Sequence, residues 1–75
     1  MTRMPQVTAR KLVVFLKSRG FVEARQSGSH LTLYEAQRQV VVTVPVHTGC
    51  DLGRGLVVRI LKDAGFTVEE FVERK

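Results

Sequence analysis

The sequence predicts an α+β fold: a two-layer sandwich with helices on one face of a three-stranded antiparallel sheet, in the order α-β-β-β-α-α. Three observations carry this. Two segments with apolar residues at helical spacing bracket the middle of the chain. Between them lie three strand-like segments joined by short polar reversals. One pairing register of the second and third strands gives a face that is wholly apolar.

The elements follow in order. Pro5 and Gln6 form a lead-in, and Thr8 is placed as an N-cap. Ala9, Leu12, Val13 and Leu16 then recur at helical spacing, with Phe15 flanking the stripe. Lys17 and Arg19 suit the last turn of a helix. Gly20 is placed as the left-handed residue that ends it, with Phe21 as the apolar contact beyond. The first helix is therefore expected over residues 8–19.

Residues 21–26 read as the first strand, and Ser27-Gly28-Ser29 as a turn. Residues 30–35, "HLTLYE", alternate cleanly. "AQRQ" supplies a polar reversal, and "VVVTV" is the strongest strand signal in the chain, ended by Pro45. A tight reversal sets Tyr34 opposite Val41 and Thr32 opposite Thr43. Leu31, Leu33, Val42 and Val44 then share the core face, while His30, Thr32, Tyr34 and Thr43 share the open one. Residues 46–53 read as a loop. Leu56, Val57, Ile60, Leu61 and Ala64 form a second helical stripe, and Gly65-Phe66 repeats the ending of Gly20-Phe21. Thr67 with Glu70 is a capping box, so a short last helix is expected to about Val72.

Size limits what such a fold can do. The 75 residues suffice for one domain, spanning 1–75. A domain this small buries only about 60% of the surface its unfolded chain exposes. Any chemistry is therefore expected on an open face or shallow groove. The net charge is +5, and the first third holds Arg3, Arg10, Lys11, Lys17, Arg19 and Arg25 against Glu23 alone. Such a basic face suggests a polyanionic partner, most often nucleic acid, against the plainer reading of a solvated surface. Cys50 is the single cysteine, which excludes an internal disulfide and a cysteine-based zinc site. The lone cysteine suits a reducing compartment. No apolar run reaches the ~18 residues of a membrane span, and no signal peptide is evident. A cytoplasmic protein without membrane attachment is expected.

Two segments could carry chemistry. In "QSGSH", His30 follows a turn whose Gly28 and Ser29 backbone N–H groups can help hold an anion, with Arg25 just before it. Histidine's reference pKa of about 6.5 lets it exchange protons near neutrality. A proton-transfer group beside a cationic corner suits RNA cleavage, in which a 2′-OH attacks the adjacent phosphate and no metal is required. By residue pattern alone the preferred reading of His30 is an ordinary exposed strand-end residue. In "VPVHTG", His47 lies two residues past the third strand. A structural loop role is preferred for it, ahead of a second acid–base group or an RNA contact. Other classes are not supported. There is no dinucleotide or Walker loop, and the two histidines and scattered carboxylates lack metal-ligand spacing, so no cofactor or metal is expected. Arg54, Arg59 and Lys62 on the second helix can grip phosphates as point charges, or form an ordinary exposed face.

Four segments, "LVVFLKSRGF", "RQSGSHLTLY", "VVVTVPVH" and "GLVVRILKDAGFTVEEF", resemble in order and spacing the HicA-type (YcfA-like) toxins of bacterial toxin–antitoxin pairs. "TGCDLGRGLV" departs from the more lysine-rich lead-in common in that family. The resemblance implies a fold like a double-stranded RNA-binding domain. It implies an mRNA interferase activity, an mRNA substrate and a HicB-type antitoxin partner that covers the His30 surface. It places the family's catalytic histidine at His30. Arg25, Gly28, Ser29, His47, Lys11 and Arg59 are the residues expected to bind RNA or support it. The alternatives are a non-catalytic RNA-binding module of the same shape, and a pure protein-interaction domain.

Overall fold

The computed structural model describes residues 7–46 and 51–72. The order is β1 (Val7–Thr8), α1 (Ala9–Ser18), β2 (Val22–Ser27), β3 (His30–Glu35), β4 (Val40–Pro45), β5 (Asp51–Leu52), α2 (Arg54–Ala64) and α3 (Val68–Val72). β2, β3 and β4 form the expected three-stranded antiparallel sheet with β3 in the centre. No helix among the described residues is long and apolar enough to cross a membrane.

The helix ends follow from their sequences. The Thr8 hydroxyl accepts a hydrogen bond from the Lys11 N–H, which satisfies one of the free donors at the start of α1. Gly20 and Gly65 take the left-handed conformation, with φ of 99° and 88°. At both ends the glycine N–H and the following phenylalanine N–H turn back to helix carbonyls: Gly20 to Lys17 and Phe21 to Leu16, then Gly65 to Lys62 and Phe66 to Leu61. This is the Schellman closure that the two "GF" pairs predict. The capping box at the start of α3 also forms. The Thr67 N–H donates to the Glu70 carboxylate, and the Glu70 N–H donates to the Thr67 hydroxyl.

The core lies between the sheet and the helices. Leu12, Phe15 and Leu16 of α1, Leu33 of β3, Val44 of β4, and Val57 and Leu61 of α2 are completely buried. Leu31 and Val42 are 5% exposed, so the four residues assigned to the core face by alternation all lie in it. Phe15, Phe66 and Phe71 meet edge to face, with centroids 5.3 and 5.1 Å from Phe15, and Phe21 joins Phe66 at 6.2 Å. Such contacts add to the burial of the rings.

Four features differ from the sequence reading. Phe15 is a fully buried core residue rather than a flank, while Val13 is half-buried. Leu56 is 39% exposed and stands outside the α2 stripe. Within the segment read as a loop, β5 pairs with β1, Val7 opposite Leu52 and Thr8 opposite Asp51. Finally, Glu35 is buried at the end of β3.

The burial of Glu35 has a physical reason. It continues the core-facing alternation of Leu31 and Leu33, and both of its carboxylate oxygens accept hydrogen bonds. It accepts hydrogen bonds from the Gln37 and Arg38 N–H groups at 2.9 and 3.0 Å, and from Arg38 Nε at 2.9 Å. Arg38 Nη2 also donates to the Ala64 carbonyl at 3.1 Å, and its guanidinium covers the Phe66 ring at 5.3 Å. The pair thus ties the β3–β4 reversal to the C-terminus of α2. Burial pushes the Glu35 carboxyl pKa up, but the Arg38 side chain, the two backbone N–H groups and the guanidinium charge outweigh that and hold it below its ordinary value.

Candidate functional site

The open face is organised in rows. Residues directly opposite in an antiparallel pair share a face. The β3–β4 register pairs His30 with Pro45, Thr32 with Thr43 and Tyr34 with Val41, as the alternation predicts. The β2–β3 register pairs Ser27 with His30, Arg25 with Thr32 and Val22 with Tyr34. Three rows therefore cross the sheet: Ser27–His30–Pro45, Arg25–Thr32–Thr43 and Val22–Tyr34–Val41.

His30 is positioned by its hairpin. Ser27 and His30 close a two-residue loop of Gly28 and Ser29. Gly28 has φ of 59°, whereas Ser29 is not in the positive region. This is the type II′ pattern, whose twist matches that of the flanking strands and whose first loop position favours glycine. The turn therefore delivers His30 as the first residue of the central strand. Its side chain is exposed and takes part in no hydrogen bond or ion pair among the described residues. Core packing does not account for it.

Arg25 reaches the same face through an irregularity that the sequence pattern does not show. The β2–β3 register shifts between Glu23 and Arg25, which leaves Ala24 as a bulge. Strict alternation from Val22 would put Arg25 on the opposite face. The extra residue lets Val22 and Arg25 share a face although they are three apart, a known use of bulges in re-aiming a side chain. Arg25 then stands diagonal to His30, a separation of about 7–8 Å between backbone positions. It is exposed and makes no ion pair among the described residues.

The surroundings keep this face open. α1 and α2 rest on β4 from the core side. Every residue of β2 is exposed. The nearby carboxylate Glu23 pairs with Leu33, so it belongs to the other face, where it meets Lys17. Lys11 and Arg59 are exposed on α1 and α2, the helical layer, and are not brought into the His30 and Arg25 rows. The Val46 N–H donates to the Ser29 carbonyl at 2.6 Å, which holds the chain after β4 beside the turn. His47, the next residue, lies outside the described residues. Among the described residues no group of three or more histidine, cysteine or acidic side chains could hold a metal ion.

The arrangement combines an exposed imidazole, a guanidinium on the neighbouring row and a glycine turn on one exposed sheet face. A family model described as the HicA toxin of bacterial toxin–antitoxin systems matches residues 9–66, from the first residue of α1 to the phenylalanine that closes α2. The match takes in all three rows of the open face. No curated protein matches the chain significantly.

Proposed function

The chain belongs to the HicA toxin family, and from that premise we propose that it is an endoribonuclease that cleaves mRNA and blocks translation, with His30 as its general acid–base group. Family membership makes it the toxin of a toxin–antitoxin pair and implies a HicB-type antitoxin as its partner. The observation that most supports the nuclease reading is the meeting of His30 and Arg25 on one open face, where neither has a packing role.

The chemistry follows from the groups present. The ribose 2′-oxygen attacks the adjacent phosphorus as its proton is taken up, and the bond to the 5′-oxygen breaks as that oxygen gains a proton. The products are a 2′,3′-cyclic phosphate and a 5′-hydroxyl. His30 serves one of these proton transfers. Arg25 and the Gly28 and Ser29 backbone N–H groups stabilise the charge that builds on the phosphoryl oxygens. Lys11 and Arg59 hold flanking backbone phosphates rather than the reacting one.

The test compares a labelled single-stranded RNA with the same strand 2′-O-methylated throughout, both in the presence of EDTA. The proposal expects cleavage of the first to a cyclic phosphate end, and an intact second strand. Cleavage of the methylated strand, or a need for added metal, would rule out this mechanism. Binding without cleavage of either would leave a non-catalytic RNA-binding module.

A further inference from the structure

The chain has four phenylalanines, one tyrosine and no tryptophan. All four phenylalanines pack on the core side of the sheet. Tyr34 alone stands on the open face, half-buried between Val22 and Val41, which are 58% and 57% exposed. Two valines that exposed serve no core. They form the two sides of a shelf with an aromatic ring between them. Tyr34 is four residues along β3 from His30, about 13 Å at ~3.3 Å per residue. Between them runs the row Arg25–Thr32–Thr43, a cation on the edge strand followed by two hydroxyls. None of the residues in the three rows is acidic.

We infer that Tyr34 is a stacking platform for an unpaired base of the RNA, and that it makes the enzyme select single-stranded over duplex substrate. The inference deepens the nuclease reading and rests on it for the identity of the strand. A base stacked on Tyr34 would sit a short way along the strand from the phosphate at His30, and the intervening backbone would cross Arg25 and the two threonines. Aromatic residues on an open sheet bind single-stranded bases in this way, and they tolerate any base because every base has a π-face. A base within a duplex is stacked on its neighbours and cannot lie on the shelf. The absence of acidic side chains favours a polyanion over a basic protein segment as the occupant.

The test uses a 2′-O-methylated strand, which the proposed chemistry cannot cut, so that binding is read apart from cleavage. A Tyr34→Trp variant carries the chain's sole tryptophan, which can be excited apart from the bases. Its emission should be quenched by the single strand and unaffected by the matching duplex. Tyr34→Leu keeps the apolar bulk and should weaken single-strand binding by about 5- to 150-fold. Circular dichroism confirms that both variants are folded. Equal quenching by duplex, unchanged affinity in folded Tyr34→Leu, or quenching by a protein partner but not by RNA overturns the inference. A chain that stacks the methylated strand on residue 34 yet cuts no RNA would refute only the nuclease reading.

Discussion

Leu33→Ala tests the register on which the site depends. Leu33 is completely buried at the middle of the central strand and faces Val42, itself 5% exposed. Truncating a leucine at such a position loses its transfer energy and leaves a cavity, about 3–4 kcal/mol together. A fold of 75 residues has a total stability of roughly 4–11 kcal/mol at 0.05–0.15 kcal/mol per residue. The variant should lose a quarter or more of that, and its midpoint should fall by roughly 12–30 °C. Val41→Thr is the companion. Val41 is 57% exposed on the other face, and threonine keeps the branched shape, so the cost should stay within about 0.5 kcal/mol. Urea unfolding followed by far-ultraviolet circular dichroism measures both, and an unchanged slope confirms that the unfolding transition is comparable. If Leu33→Ala costs under about 1 kcal/mol while Val41→Thr costs over about 2 kcal/mol, the core and open faces of both β3 and β4 are exchanged. His30 would then point at the core, and the open face would not carry the site.

Four further outcomes are expected. Gly65→Ala should destabilise by about 1–2 kcal/mol in the same assay, because the left-handed backbone disfavours a Cβ; that Cβ would also stand 2.6 Å from Arg38 Nη1. Gly55→Ala, in α2 with open space around it, should instead gain about 0.5–1 kcal/mol. The folded-state pKa of Glu35 is lowered, so its contribution is complete above the ordinary value of 4.5 and is lost as pH falls through the lower folded value. Glu35→Gln should flatten this part of the acid-unfolding curve, and an unchanged curve would mean that the Glu35–Arg38 pair contributes nothing. Arg25→Gln should slow RNA cleavage by about 10²–10³, as for loss of one charge-stabilising donor, with Arg25→Lys partly restoring it; wild-type rates in Arg25→Gln would remove Arg25 from the site.

The sequence made the sheet faces legible because burial imposes a period of two. Leu31, Leu33, Val42 and Val44 can be placed together only one way, and that placement puts His30 outside. The helix ends were equally readable, since Gly20, Gly65 and the Thr67–Glu70 pair carry specific backbone chemistry. β2 carries no such signal. It buries nothing, so its residues need not alternate, and the bulge at Ala24 that sets Arg25 beside His30 is silent in the pattern. The β1–β5 ladder is two residues long, too short for any period. Glu35 was hidden by its charge. The sign of its burial was Arg38, a cation three residues on across a reversal. The row of Val22, Tyr34 and Val41 joins three strand positions that only the paired register brings together.

The central claim is that His30 carries out proton transfer in RNA cleavage. Single-turnover cleavage of a labelled RNA by wild type and by His30→Ala tests it most directly, with circular dichroism and urea unfolding of both proteins alongside. The side chain is exposed and outside the core, so the variant should fold with unchanged stability. Its cleavage rate should fall by about 10²–10⁴, the usual contribution of a positioned acid–base group. A folded His30→Ala protein that cuts RNA at the wild-type rate would contradict the account.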